Sequence, residues 1–120
     1  MSEARDIRDY LVDMSDMLEK LQTFVHGMTL EDFRKDDKTV FAVIRAFEVL
    51  GEAAKHIPEE YRHQHLGVQW QKIAALRSKL IHEYFSVNLD IVWNTIHNDV
   101  PLLQALLTPV VKECFEKYHP

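Results

Sequence analysis

Ile7, Leu11, Met14, Leu18, Leu21, Val25 and Met28 recur at alternating steps of four and three residues. That spacing fits a helix, which turns once per about 3.6 residues and so keeps all seven on one stripe. It does not fit a strand, whose two faces alternate at every residue. A chain that opens this way is committed to packing helix on helix, because the stripe has to be covered by another element. This first helix is expected to start behind Ser2 and run to about Val25, with Gly27 as its stop.

The rest of the chain continues in the same idiom. Thr29-Leu30-Glu31-Asp32 has the spacing of a capping box, with Asp in place of the preferred Glu, and opens a short helical turn. A second long helix is expected from near Asp37 to just before Pro58, since the residue ahead of a proline is pushed out of helical geometry. Val40, Val43, Ile44, Phe47, Leu50 and Ala54 line its inner side, and Gly51 marks a close helix approach. Residues 58–66 read as a short helix begun by Pro58 and closed by Gly67. The next helix runs from about Gln69 to His82 or Tyr84 and buries Trp70, Ile73, Leu76 and Leu80. Ser86-Val87-Asn88 breaks it, and Asn88 caps a helix carried by Leu89, Val92, Trp93 and Ile96. Asp99 with Pro101 indicates a fresh start or a kink, after which Leu102, Leu103, Leu106, Val110 and Cys114 continue to the C-terminus. The expected fold is an all-α, four- to five-helix up-and-down bundle, one domain over residues 1–120.

Composition narrows the setting. The run Leu102 to Val111 contains Gln104, Thr108 and Pro109 and is too short to span a bilayer. Met1 leads directly into charged helical sequence, so no signal peptide is read. One cysteine, Cys114, excludes an internal disulfide and fits a reducing cytoplasm. The net charge of −5 argues against nucleic-acid binding through the overall field. RNA would have to meet a local positive patch, to which Arg45, Lys72, Arg77 and Lys79 could contribute, assembled in part across two subunits.

The chemistry concentrates in Arg77-Ser78-Lys79-Leu80-Ile81-His82-Glu83-Tyr84. It holds a permanent cation, a group that titrates near neutral pH and a phenol. An arginine can clamp phosphate oxygens while a histidine moves protons, which suffices to cleave a phosphodiester without a metal. At about 100° per residue Arg77 and Tyr84 lie within about 20° of each other, whereas His82 lies about 140° from Arg77. A straight helix therefore does not pair Arg77 with His82 of the same chain. Either the helix ends before His82, or the two act from different positions around a groove, which a twofold dimer would form. On spacing alone, both read first as surface residues.

Other constellations carry less. His63-Gln64-His65, with His56 nearby, lacks a carboxylate or cysteine at a familiar ligand spacing, and no metal site is assigned. Glu48 and Glu52, flanked by Arg45 and Lys55, read as a charged helix face laced by ion pairs. Their functional alternative is to hold Arg77. Cys114 reads as a packed thiol.

Longer blocks then carry a resemblance. Trp70 through Phe85, followed by Val87-Asn-Leu-Asp-Ile-Val-Trp93 and Asn98-Asp-Val-Pro101, resembles the HepT-like branch of the HEPN family. So do Ala42 through Lys55, Arg8-Asp-Tyr-Leu11 and Phe24 to Met28, which together cover nearly the whole chain. The resemblance implies a homodimeric, HEPN-like helical toxin of a type VII-like MntA/HepT toxin–antitoxin module, cytoplasmic and without a cofactor. It implies a metal-independent RNA endonuclease whose motif of arginine, four to six residues, histidine, one residue and tyrosine falls on Arg77, His82 and Tyr84. It implies an MntA-type nucleotidyltransferase partner that neutralises the toxin by AMPylation of Tyr84. Ser78 and Lys79 support the motif, and Ser78 stands where the resembling proteins usually have Asn or Asp. Serine keeps a hydrogen-bonding oxygen but loses reach and, relative to Asp, charge. The alternative is a non-catalytic helical partner that binds and regulates a nucleotidyltransferase.

Overall fold

Four of the helices begin where the side chain of a polar residue takes up backbone N–H groups left over at a helix start. In the computed structural model, which describes residues 5–81 and 88–117 and the side chains of all of these except 77–81, α1 spans Ile7–Phe24. Its cap is Asp6, which accepts from the amides of Arg8 and Asp9, while the Asp9 carboxylate accepts from the amide of Asp6. The expected start behind Ser2 is thus displaced to Asp6, because this reciprocal pair satisfies the first turn. Gly27 adopts φ 78°, the left-handed conformation that closes the segment after α1.

The Thr29–Asp32 capping box is present and opens α2, Leu30–Lys35. Asp36 both ends α2 and caps α3, Asp37–Lys55, by accepting from the Thr39 amide at 3.1 Å. Pro58 precedes α4, Glu59–Gln64. Arg62 then turns back on α3: its guanidinium donates to the carbonyls of Ile57 and Ala54, each at 2.9 Å, and of Lys55 at 3.2 Å. A cation thus satisfies the negative end of the α3 dipole. The helix α5, Trp70–Ile81, is seated by Trp70, whose Nε1 donates to the His65 carbonyl at 3.0 Å.

Beyond residues 82–87, α6 (Leu89–Asn94) runs into a π turn, Thr95–Asp99, and then α7, Val100–Lys117. There is no fresh start at Asp99. The Val100 amide reaches back to the Thr95 carbonyl, and the flanking residues keep right-handed helical dihedrals. Pro101 has no N–H to give and its ring crowds the carbonyl four residues earlier, so the wider turn carries the helix past it.

The seam on α1 is buried at Leu11, Met14, Leu18, Leu21 and Val25, and α1 packs against α3 and α7. In turn α3 packs against α5 and buries Val43, Ala46, Phe47, Leu50, Gly51, Ala53 and Ala54. Val40 and Ile44, expected on the inner side, are only half-buried. On α7 the buried stripe is Val100, Leu103, Leu107, Val110 and Cys114, while Leu102 is 54% exposed and Leu106 is half-buried. The Leu102-Leu103 and Leu106-Leu107 doublets offer two stripes one residue apart. The 103/107 stripe continues into Val100, Val110 and Cys114 at alternating steps of three and four, whereas 102/106 reaches Val110 and Cys114 only by successive steps of four, which drift around the helix. All of these residues form one contiguous all-α core. Among the described residues, no helix is long and apolar enough to cross a membrane.

Two outcomes follow from this packing. Leu103→Ala is expected to cost about 2–5 kcal/mol and Leu102→Ala no more than about 0.5 kcal/mol in urea unfolding, which checks the stripe. The second concerns Asp36, whose carboxyl is held below the usual aspartate value of 3.8, first by the backbone hydrogen bond from Thr39. Its lowered native value means its stabilisation is complete above the unfolded value and is lost as pH falls through the native one. The difference in Tm between wild type and Asp36→Ala should therefore hold steady above about pH 5 and narrow below the ordinary aspartate range.

Candidate active site

Arg77, Ser78 and Lys79 stand in the C-terminal half of α5, whose backbone is helical through Ile81. The side chains of 77–81 lie outside the described residues, as do His82 and Tyr84 in their entirety. What the structure does place is the frame that holds the motif at both ends. On the near side, α5 is fixed by Trp70, Ile73 and Leu76, which are buried at steps of three.

On the far side, Asn88 caps α6, its Oδ1 accepting from the amides of Asp90 at 3.0 Å and Ile91 at 3.3 Å. Asp90 then pairs with Arg34 of α2. The Trp93 ring lies 5.5 Å from the Phe33 ring and 4.1 Å from that of His97, and Val92 and Ile96 enter the core. The chain thus goes into residues 82–87 from one anchored helix and comes out into another. Such support from rigid elements is what a catalytic constellation needs to hold its geometry.

The charged face of α3 is as its spacing predicts. Arg45 pairs with Glu48 at 3.6 Å, and Glu52 pairs with His56 at 3.8 Å. The suggested grip of these carboxylates on Arg77 falls on a side chain outside the described residues. Of the expected positive patch, Arg45 is thus tied to Glu48 and Lys72 approaches Asp99 at 3.8 Å. The histidines are each engaged separately, His63 with Glu59 and His65 with Glu113. Among the described residues, no three His, Cys, Asp or Glu side chains gather as a metal-binding group. Cys114 is buried, as a packed thiol would be.

One arrangement escaped the sequence. Arg5 lies over the Tyr10 ring at 4.9 Å, and Tyr10 stacks on His56 at 4.7 Å with 13° between ring planes. Arg5 also donates to Asp13 at 2.7 Å, which holds the guanidinium above its ordinary pKa. The pair Glu52–His56 is legible as an i, i+4 spacing. The stack joining it to Tyr10 crosses from α1 to α3 and leaves no local signal.

With this frame in place, the comparisons with known proteins decide the family. The model of the family described as "HepT-like: Ribonuclease HepT-like" matches residues 14–110. The chain belongs to the HepT-like ribonuclease family. It is 42% identical over 101 residues to the "Probable ribonuclease HepT" of Thermococcus cleftensis, covering 84% of this chain and 92% of that one. Two further relatives carry the name "Putative RNase". One, of Caldanaerobacter subterraneus subsp. tengcongensis, is 43% identical over 110 residues, covering 92% of this chain and 95% of its own. The other, of Methanocaldococcus jannaschii, is 42% identical over 97 residues, covering 81% of this chain and 80% of its own. No solved structure matches the chain significantly. Family membership accounts for the all-α bundle.

The frame makes its own prediction. Asn88→Ala should lower the unfolding free energy by about 1 kcal/mol, while Asn88→Asp retains most of the cap, both measured by urea unfolding.

Proposed function

We propose that this HepT-like chain is a metal-independent RNA endonuclease, the cytoplasmic toxin of a two-gene toxin–antitoxin module. The observation that carries the reading is the Arg77–His82–Tyr84 motif within a chain of the HepT-like ribonuclease family. RNA is the substrate because the nucleophile is its own 2′-hydroxyl, which DNA lacks. That oxygen attacks the adjacent phosphorus as the bond to the 5′ oxygen breaks, leaving a 2′,3′-cyclic phosphate and a 5′-hydroxyl.

In a homodimer acting as a single domain per chain, one His82 takes the proton of the 2′-hydroxyl and the other protonates the leaving oxygen. Arg77 stabilises the charge that builds on the phosphorane oxygens, and Lys79 adds to the local field. Arginine and histidine here supply the charge stabilisation and proton transfer for which other nucleases use a metal ion. Tyr84 falls about 20° from Arg77 in helical register. AMP transferred to it by a cognate MntA-type nucleotidyltransferase would bring negative charge and bulk to the RNA groove, blocking it directly.

Cleavage of RNA by the purified chain in the presence of a chelator is expected to yield cyclic-phosphate ends. His82→Ala should reduce the rate by about 10²–10⁴-fold. Indistinguishable growth of hosts expressing wild type and His82→Ala, with no cleavage by either protein, would overturn the nuclease. Incubation with the neighbouring nucleotidyltransferase and ATP should add the mass of AMP to wild type and not to Tyr84→Phe. Ser78 and the net charge of −5 favour a second reading, a non-catalytic partner that regulates the nucleotidyltransferase. Tight partner binding without RNA cleavage would establish it instead.

A further inference from the structure

At the opposite end of α5 from the motif lies a groove of about 850 Å³, open to solvent and walled by the end of α3, by α4 and by the first turn of α5. Its lining includes three permanent cations, Lys55, Arg62 and Lys72, against a single carboxylate, Glu59. Glu59 lies 3.6 Å from His63 with both side chains exposed, so one negative charge stands against the three cations. Arg62 is held in place by its three backbone carbonyl partners, which also removes the negative end of α3 from the local field. Lys72 approaches Asp99 at 3.8 Å, and Asp99 itself lies outside the groove lining. In a chain of net charge −5, this is a local reversal of sign.

We infer that this groove is a phosphate track for the RNA strand whose scissile bond lies at the other end of α5. The inference rests on the ribonuclease reading above and extends its substrate contact beyond the motif. An acidic chain repels a polyanion overall, so binding has to be concentrated where the sign reverses. The groove and the motif share one rigid helix. Trp70 and Ile81 are separated along it by about 16 Å at about 1.5 Å per residue. A strand advancing about 3.4 Å per nucleotide covers that distance in about five nucleotides. Lys79 stands seven residues beyond Lys72 in the sequence, within about 20° of the same register on the α5 backbone.

The test measures fluorescence anisotropy of a labelled twelve-nucleotide RNA on the full chain carrying His82→Ala, which keeps the probe intact. Adding Lys55→Gln and Lys72→Gln should weaken binding roughly tenfold and reduce the slope of log affinity against log salt by about 1.4, two phosphate contacts at about 0.7 each. Lys55→Arg with Lys72→Arg should restore both, which separates charge from folding. Lys20→Gln with Lys35→Gln, distant in the fold and equal in charge, should leave both unchanged, and a three-nucleotide RNA should not distinguish the groove variant from its parent. An unchanged affinity and slope in the groove variant would overturn the track. So would an equal loss in the Lys20/Lys35 control, or binding of an acidic peptide but not of RNA. A wild-type chain that binds RNA through the groove but cleaves none would refute the nuclease while leaving the track standing.

Discussion

The structure depends on the burial of α3 between α1 and α5. Phe47 and Leu50 are fully enclosed there, and the small residues Ala46, Gly51, Ala53 and Ala54 share the buried surface. Large apolar side chains supply the area removed from water, while small ones leave room for neighbouring helices to approach. Because α5 is positioned by this contact, the motif inherits its location from α3. Arg62 matters for the same reason, since it satisfies carbonyls at the end of α3 and ties α4 to it, while Trp70 seats the start of α5 on the His65 carbonyl just after α4. A central helix whose end is capped by the next element can hold the helix after that one in a set direction.

Much of this was legible in the residues because the determinants are local. The 7–28 seam, the Thr29–Asp32 box, the Pro58 start and the Asn88 cap each need only a few neighbouring positions, and each occurs as read. The misses share a different origin. Two stripes were available on α7, and the choice between 102/106 and 103/107 is made by what α1 presents across the interface. At Pro101 the residue type announces a perturbation but not its form, since a break, a kink and a π turn all accommodate a missing N–H. The cap at Asp6 rather than Ser2 shows the same limit. Both residue types serve, and the reciprocal partner Asp9 decides.

The site was legible in a narrower sense. Residue types in the octet suggest a chemistry, its spacing alone is a weak signal, and family membership supplies the context in which that signal carries weight. Spacing alone could not give the frame. Arg34–Asp90 and Phe33–Trp93 join α2 to α6 across more than fifty residues of sequence, and Tyr10–His56 joins α1 to α3. Such long-range pairs have no periodicity to betray them. The first two are nonetheless what fixes α6, the helix that follows residues 82–87.

Charge distribution connects these strands. A polyanion-cleaving protein with net charge −5 gains selectivity from its own repulsion, because a strand that does not reach a sign-reversed surface is not retained. Several cations on the described surface face carboxylates: Arg5 on Asp13, Arg8 on Asp6, Arg34 on Asp90, Arg45 on Glu48 and Lys35 on Glu31. Exposed pairs of this kind add little to stability, but each neutralises a charge that would otherwise recruit nucleic acid indiscriminately. The cations around the α3–α4–α5 corner are held differently. Arg62 is bonded to neutral carbonyls, which leaves its charge intact, and Lys55 and Lys72 share the same groove. If the motif end of α5 carries the chemistry, a cationic groove at the other end lets affinity be set by a surface that takes no part in bond breaking. Blocking Tyr84 would then prevent cleavage without requiring the whole RNA-binding surface to be masked.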